Sequence, residues 1–134
     1  MSYAISTTIE QPYDAAVAQV RAALADQGFG VLTEIDVKAT MKAKLDADIA
    51  PQVILGACRP PLALAALQAE PSIGLLLPCN VVVRALDDTT TSVEAVDPQT
   101  MVSMTDNAEL QSVADDATQR LRAALDSLTA DAAR

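Results

Sequence analysis

Apolar residues in the first third of the chain switch between two periods. Tyr3, Ile5, Thr7 and Ile9 alternate with smaller or more polar neighbours, the period of a strand with one buried face. From Pro12 the period lengthens. Val17, Val20 and Leu24 fall on one face of a helix, which Pro12 can open and Asp14 favours through the dipole. Gly28 stands where a left-handed residue would end that helix. Alternation returns at Phe29, Val31, Thr33 and Ile35, which predicts a second strand.

Asp36 is placed to cap a short helix from Val37, with Val37, Met41 and Leu45 sharing a face. Residues 46–51 read as a loop. Gln52 to Arg59 is mostly apolar, which predicts a third, central strand. Pro60 and Pro61 stop it, and Leu62 to Ala69 reads as a helix apolar on most faces, hence buried. Glu70-Pro71-Ser72 breaks that helix, and Ile73 to Leu77 receives no assignment. Cys79 to Leu86 and Thr91 to Val96 read as two strands joined by the polar turn 87–90. In the first of them Val81 and Val83 share one face, and Val82 and Arg84 the other. Asp97-Pro98 ends the second.

Asp106 followed by Glu109 resembles a capping box. Leu110, Val113, Ala114, Ala117, Leu121, Leu125 and Leu128 then mark one face of a long helix, with fraying expected at 130–134. The order β-α-β-α-β-α-β-β-α predicts an α+β fold: a single, mainly antiparallel sheet with helices packed on it. No linker or repeat interrupts it, so residues 1–134 are expected to form one domain.

Composition narrows the chemistry. The 134 residues are 51% hydrophobic, enough to bury roughly two thirds of the unfolded surface without a disulfide or metal. No apolar run is long enough for a membrane span. The N-terminus lacks a basic, apolar leader, so a cytoplasmic location with reduced thiols is expected. The net charge is −9, from 18 acidic and 9 basic residues, which argues against nucleic-acid binding. Histidine is absent, which removes Ser-His and Cys-His catalysis and the usual zinc sites. No metal site and no catalytic constellation is predicted, and no glycine-rich nucleotide motif occurs.

Two cysteines carry the remaining interest. Cys58 ends the third strand just before a helix, whose N-terminus can favour a thiolate, and Arg59 adds a positive charge beside it. Cys79 opens the fourth strand, next to Asn80. Cys58, Arg59, Cys79 and Asn80 are the candidate ligand-binding residues, although cysteine most often packs as a small hydrophobe. Lys38, Lys42 and Lys44 make a candidate patch for an anion or an acidic partner. Met101 and Met104 are read as core.

Three blocks are familiar as a set: Gly28 to Thr40, Ile54 to Ala63 around Gly56-Ala57-Cys58 and Pro60-Pro61, and Gly74 to Val83 around Pro78-Cys79-Asn80. Together they resemble the bacterial and archaeal domain of unknown function 302 family over nearly the whole chain. The resemblance implies a compact α+β fold with a mostly antiparallel sheet, commonly a homodimer, and no established reaction. Both cysteine blocks match the family pattern. Arg59 departs from it, standing where the family leads one to expect Asn.

No motif assigns an activity. The apolar surplus and the small residues around Cys58 favour a homodimeric, cytoplasmic module that binds a small apolar ligand or cofactor near the two cysteines. Haem is one candidate, because a cysteine thiolate can ligate its iron. The alternatives are a thiol-based redox or sulfur-transfer protein using Cys58, and a structural or interaction protein acting through its dimer surface.

Overall fold

The structure is a computed structural model that describes residues 3–132. Its strands are β1 (Ala4–Ile9), β2 (Gly30–Asp36), β3 (Gln52–Cys58), β4 (Cys79–Ala85) and β5 (Thr91–Val96). Its helices are α1 (Tyr13–Asp26), α2 (Val37–Leu45), α3 (Pro60–Ala69), α4 (Gln99–Thr105) and α5 (Gln111–Ala132). The strands form one sheet in the order β1-β5-β4-β3-β2, and every neighbouring pair is antiparallel. The α+β prediction and its element order hold, with α4 added between β5 and the last helix.

Period-2 alternation explains which face is covered. Val53, Leu55 and Ala57 of β3 are buried, as are Cys79, Val81 and Val83 of β4, and Val93 and Ala95 of β5. These side chains share one face by register and meet Ala16, Val20 and Leu24 of α1 and Leu121, Leu125 and Leu128 of α5 in one apolar cluster. All seven residues predicted for the inner face of α5 and its approach are buried. The Thr91 hydroxyl, fully buried, donates to the Gln11 carbonyl at 2.8 Å and ties the β1–α1 turn to β5. A second, smaller cluster joins Ala66 of α3, Ile73, Met101 of α4, Leu110 and Val113.

Several local expectations need correction. β4, not β3, is the central strand. The alternation of β2 is interrupted by a bulge between Val31 and Thr33. Val31 lies opposite Ala57 on the helix side, whereas Thr33 and Ile35 lie opposite Gly56 and Ile54 on the other. A single inserted residue reverses the facing of all that follows. The segment Ile73 to Leu77 falls largely in a 3-10 turn over Pro71–Leu76.

α2 is capped as predicted, with Asp36 accepting from the Ala39 N–H at 2.9 Å, yet it buries no residue. It flanks an edge strand and has nothing to pack under. α3 buries only Ala66, while Leu64 and Leu67 are exposed. Apolarity on most faces does not bury a helix that lies across the end of the sheet rather than on it. Asp106 caps the C-terminus of α4 in a left-handed conformation. Asn107 supplies the cap that the sequence assigned to Asp106, accepting from the Glu109 N–H at 3.0 Å. Met101 is core as expected, but Met104 is exposed. α5 is helical through Ala132, and the remainder of the expected fraying, at 133–134, lies outside the described residues.

Candidate functional site

A cavity of about 280 Å³ opens where the two apolar clusters meet. Its floor is one end of the β3–β4 pair, Ala57 and Cys58 of β3 with Cys79 of β4. Leu62, Ala63 and Ala66 of α3 form one wall. Met101, Val113 and Ala117 close it from α4 and α5. The space exists because its walls are built from small residues. Alanines at 57, 63, 66 and 117 leave open what larger side chains would fill. Leu32 and Leu67, both largely exposed, stand at the rim.

Ala57 pairs directly with Cys79 across β3 and β4, so Cys58 lies one step past the pair. The two cysteines are free thiols and line the same cavity. Burial is the larger cause and the neighbouring Cys58 the smaller in pushing the Cys79 thiol from an ordinary 9.0 up to about 11. Cys79 therefore stays protonated at neutral pH. The α3 N-terminus supplies no free N–H in its first turn. Pro60 and Pro61 have none, and those of Leu62 and Ala63 both donate to the Arg59 carbonyl at 3.0 Å. The thiolate-stabilising donors expected beside Cys58 are thus spent within the helix.

Arg59 is the N-cap residue of α3 and, among the described residues, the only charged side chain lining the cavity. Its Nε is buried without a hydrogen-bond partner. Three other arginines find carboxylates: Arg21 with Glu34 at 2.8 Å, Arg84 with Glu94 at 3.5 Å, and Arg120 with Asp116 at 2.6 Å. An unpaired buried N–H costs about 1–3 kcal/mol. Gly28 makes room for it. A Cβ there would approach Arg59 Nε to 3.1 Å, and its φ of +83° favours glycine independently.

Three of the four candidate ligand residues therefore converge: Cys58, Arg59 and Cys79. Asn80 does not. It is exposed and borders a shallow depression with Tyr3, Val82 and Glu94, because successive strand residues point to opposite faces. The lysine patch is elsewhere and partly occupied. Lys38 Nζ donates to the Ile49 carbonyl at 2.7 Å, and Lys42 pairs with Asp46 at 2.8 Å and Asp48 at 3.4 Å. These lysines pin α2 to the loop that follows it, and none lines the cavity.

Sequence reasoning missed Phe29, Ala63, Ala66, Val113 and Ala117 as cavity walls. The one available signal was the run of alanines on α3 and α5. A second cavity of about 280 Å³ lies behind the first, and Cys79 and Met101 line both. Among the described residues there is no acidic or cysteine cluster able to hold a metal ion, and no helix long and apolar enough to cross a membrane.

The family model described as "Domain of unknown function DUF302" matches residues 5–128. The fold is also that of a solved relative, the crystal structure of an uncharacterized conserved protein DUF302 from Bacillus stearothermophilus. The two are 28% identical, with a TM-score of 0.87 over 96% of this chain and 99% of the other. Among curated proteins, none matches significantly.

Proposed function

The chain belongs to the DUF302 family, whose name carries no activity, and we propose that it is a cytoplasmic binding module for a small, mainly apolar ligand held in the cavity above Cys58 and Cys79. One observation supports this reading above others. The cavity is walled almost wholly by aliphatic side chains and alanines, with Cys58, Arg59 and Cys79 among its lining residues, the mainly apolar anatomy of a small-molecule site. At about 280 Å³ it holds a ligand of about nine heavy atoms, taking ~30 Å³ for each water-sized unit. Haem is several times larger and is not the favoured occupant.

Isothermal titration with octan-1-ol tests the proposal. Saturable binding with one site per chain is expected. Ala63→Phe, which fills the space from its half-buried rim, abolishes that binding while circular dichroism stays native. The absence of saturable binding to the parent protein, or its survival in the filled variant, refutes the reading.

The thiol-chemistry alternative, which uses Cys58, is weakened by the occupied donors at the start of α3. Self-association has a specific observation in its favour. The sheet face opposite α1 and α5 carries Ile35, Ile54 and Val82 in register, with Ile35 about half exposed. We propose a homodimer closed through that face, and light scattering at micromolar concentration tests it. A monomer there refutes it.

A further inference from the structure

Resting on the cavity reading above, we infer that the ligand is an anionic amphiphile, an aliphatic body ending in a carboxylate, and that Arg59 receives the carboxylate.

The inference starts from charge. The protein carries −9, and carboxylates are available over its surface to pair with its few cations. Arg59 has none. No hydrogen bond or ion pair to its guanidinium occurs among the described residues, and its Nε is fully enclosed. The terminal nitrogens are also unpartnered, and unlike Nε they are not buried. They are the donors left open, and a ligand whose body fills the cavity would bring its carboxylate out to them. Enclosure of Nε against Gly28 fixes the stem of the side chain and so the plane of the fork.

Selectivity follows from the lining. Among the described residues Arg59 is its only charged one, and none of their acidic side chains lines the cavity. An amine would meet a cation with no compensating anion. An alcohol would be admitted for its body alone. A carboxylate gains a charge-assisted, planar contact that matches guanidinium geometry. Without such a contact a carboxylate binds an apolar cavity more weakly than the matching alcohol, because it loses more hydration. A preference for the acid is thus a direct report on Arg59.

The experiment compares octanoate, octan-1-ol and octylamine by isothermal titration near pH 7, on the parent protein and on Arg59→Gln. The parent is expected to bind octanoate about tenfold more tightly than octan-1-ol and octylamine most weakly. Arg59→Gln reverses the order of the first two, and saturable octan-1-ol binding that persists in the variant shows that the cavity survives the substitution. Arg59→Lys retains part of the preference, since it keeps the charge but not the fork. If octan-1-ol binds while octanoate is not preferred, or the preference persists in Arg59→Gln, the assignment of Arg59 is overturned and the cavity reading stands. If none of the three binds, the cavity reading falls first and this inference with it.

Discussion

Replacing Gly56 by alanine tests how the cavity floor is held. Gly56 sits on β3 between the bulged β2 and the start of β4, facing Thr33 by register. A Cβ at this position would lie 2.1 Å from Thr33 Oγ1 and 2.7 Å from Pro78 Cγ. Contacts under 3.0 Å are essentially never adopted by real Cβ atoms, so Thr33 must retreat by about 0.9 Å and Pro78 by about 0.3 Å. Neither can swing aside cheaply. Threonine is β-branched and stiff at χ1, and the proline ring is tied to the backbone. Overpacking of this kind costs about 1–3 kcal/mol, and two stiff neighbours place Gly56→Ala in the upper half of that range. Tm should fall by roughly 5–10 °C for a chain of this size.

Urea unfolding followed by circular dichroism measures the change. In a Thr33→Ala background the Oγ1 clash is gone and the Pro78 contact remains. The penalty for Gly56→Ala should then shrink by about 1 kcal/mol, as a coupling between touching residues. A loss below about 0.5 kcal/mol for the single variant, or strict additivity in the double, would refute the reasoning. Because Pro78 adjoins Cys79, octan-1-ol affinity is expected to drop in Gly56→Ala as well.

Two further outcomes follow from burial. The Cys79 thiol has its folded pKa raised from 9.0 to about 11, so its contribution to stability is complete below pH 9 and is lost as pH rises toward 11; the difference between parent and Cys79→Ala should change by up to about 3 kcal/mol across that window, and a flat difference in urea titrations would disprove it. Leu121 of α5 is fully buried and Leu45 of α2 is 72% exposed, so Leu121→Ala should cost about 2–5 kcal/mol and Leu45→Ala less than about 0.5 kcal/mol, with equal losses in thermal melts counting against the assigned core.

Much of this protein was legible in the order of its residues. Leu110 through Leu128 declared the inner face of α5, because an apolar stripe at helical spacing has only one side to bury. Val81 and Val83 against Val82 and Arg84 declared the faces of β4 for the same reason at period 2. Asp36 announced its cap, since that bond is local. The three blocks around Gly28, Cys58 and Cys79 pointed to the family that the comparisons then showed.

What the sequence alone could not decide is whatever depends on distant segments meeting. The β2 bulge turns Thr33 and Ile35 away from Val31, and no local pattern reports an inserted residue. α3 looked buried because it is apolar, but burial depends on what lies over a helix, and α3 spans the end of the sheet. The cavity is a gap between two clusters drawn from β3, β4 and α3 to α5, so it belongs to none of them singly. Arg59 was visible as a charge beside a cysteine. That it stands without a carboxylate in a chain rich in them follows only from the tertiary packing, which brings Gly28 against its Nε and leaves the acidic side chains of the described residues out of the cavity wall.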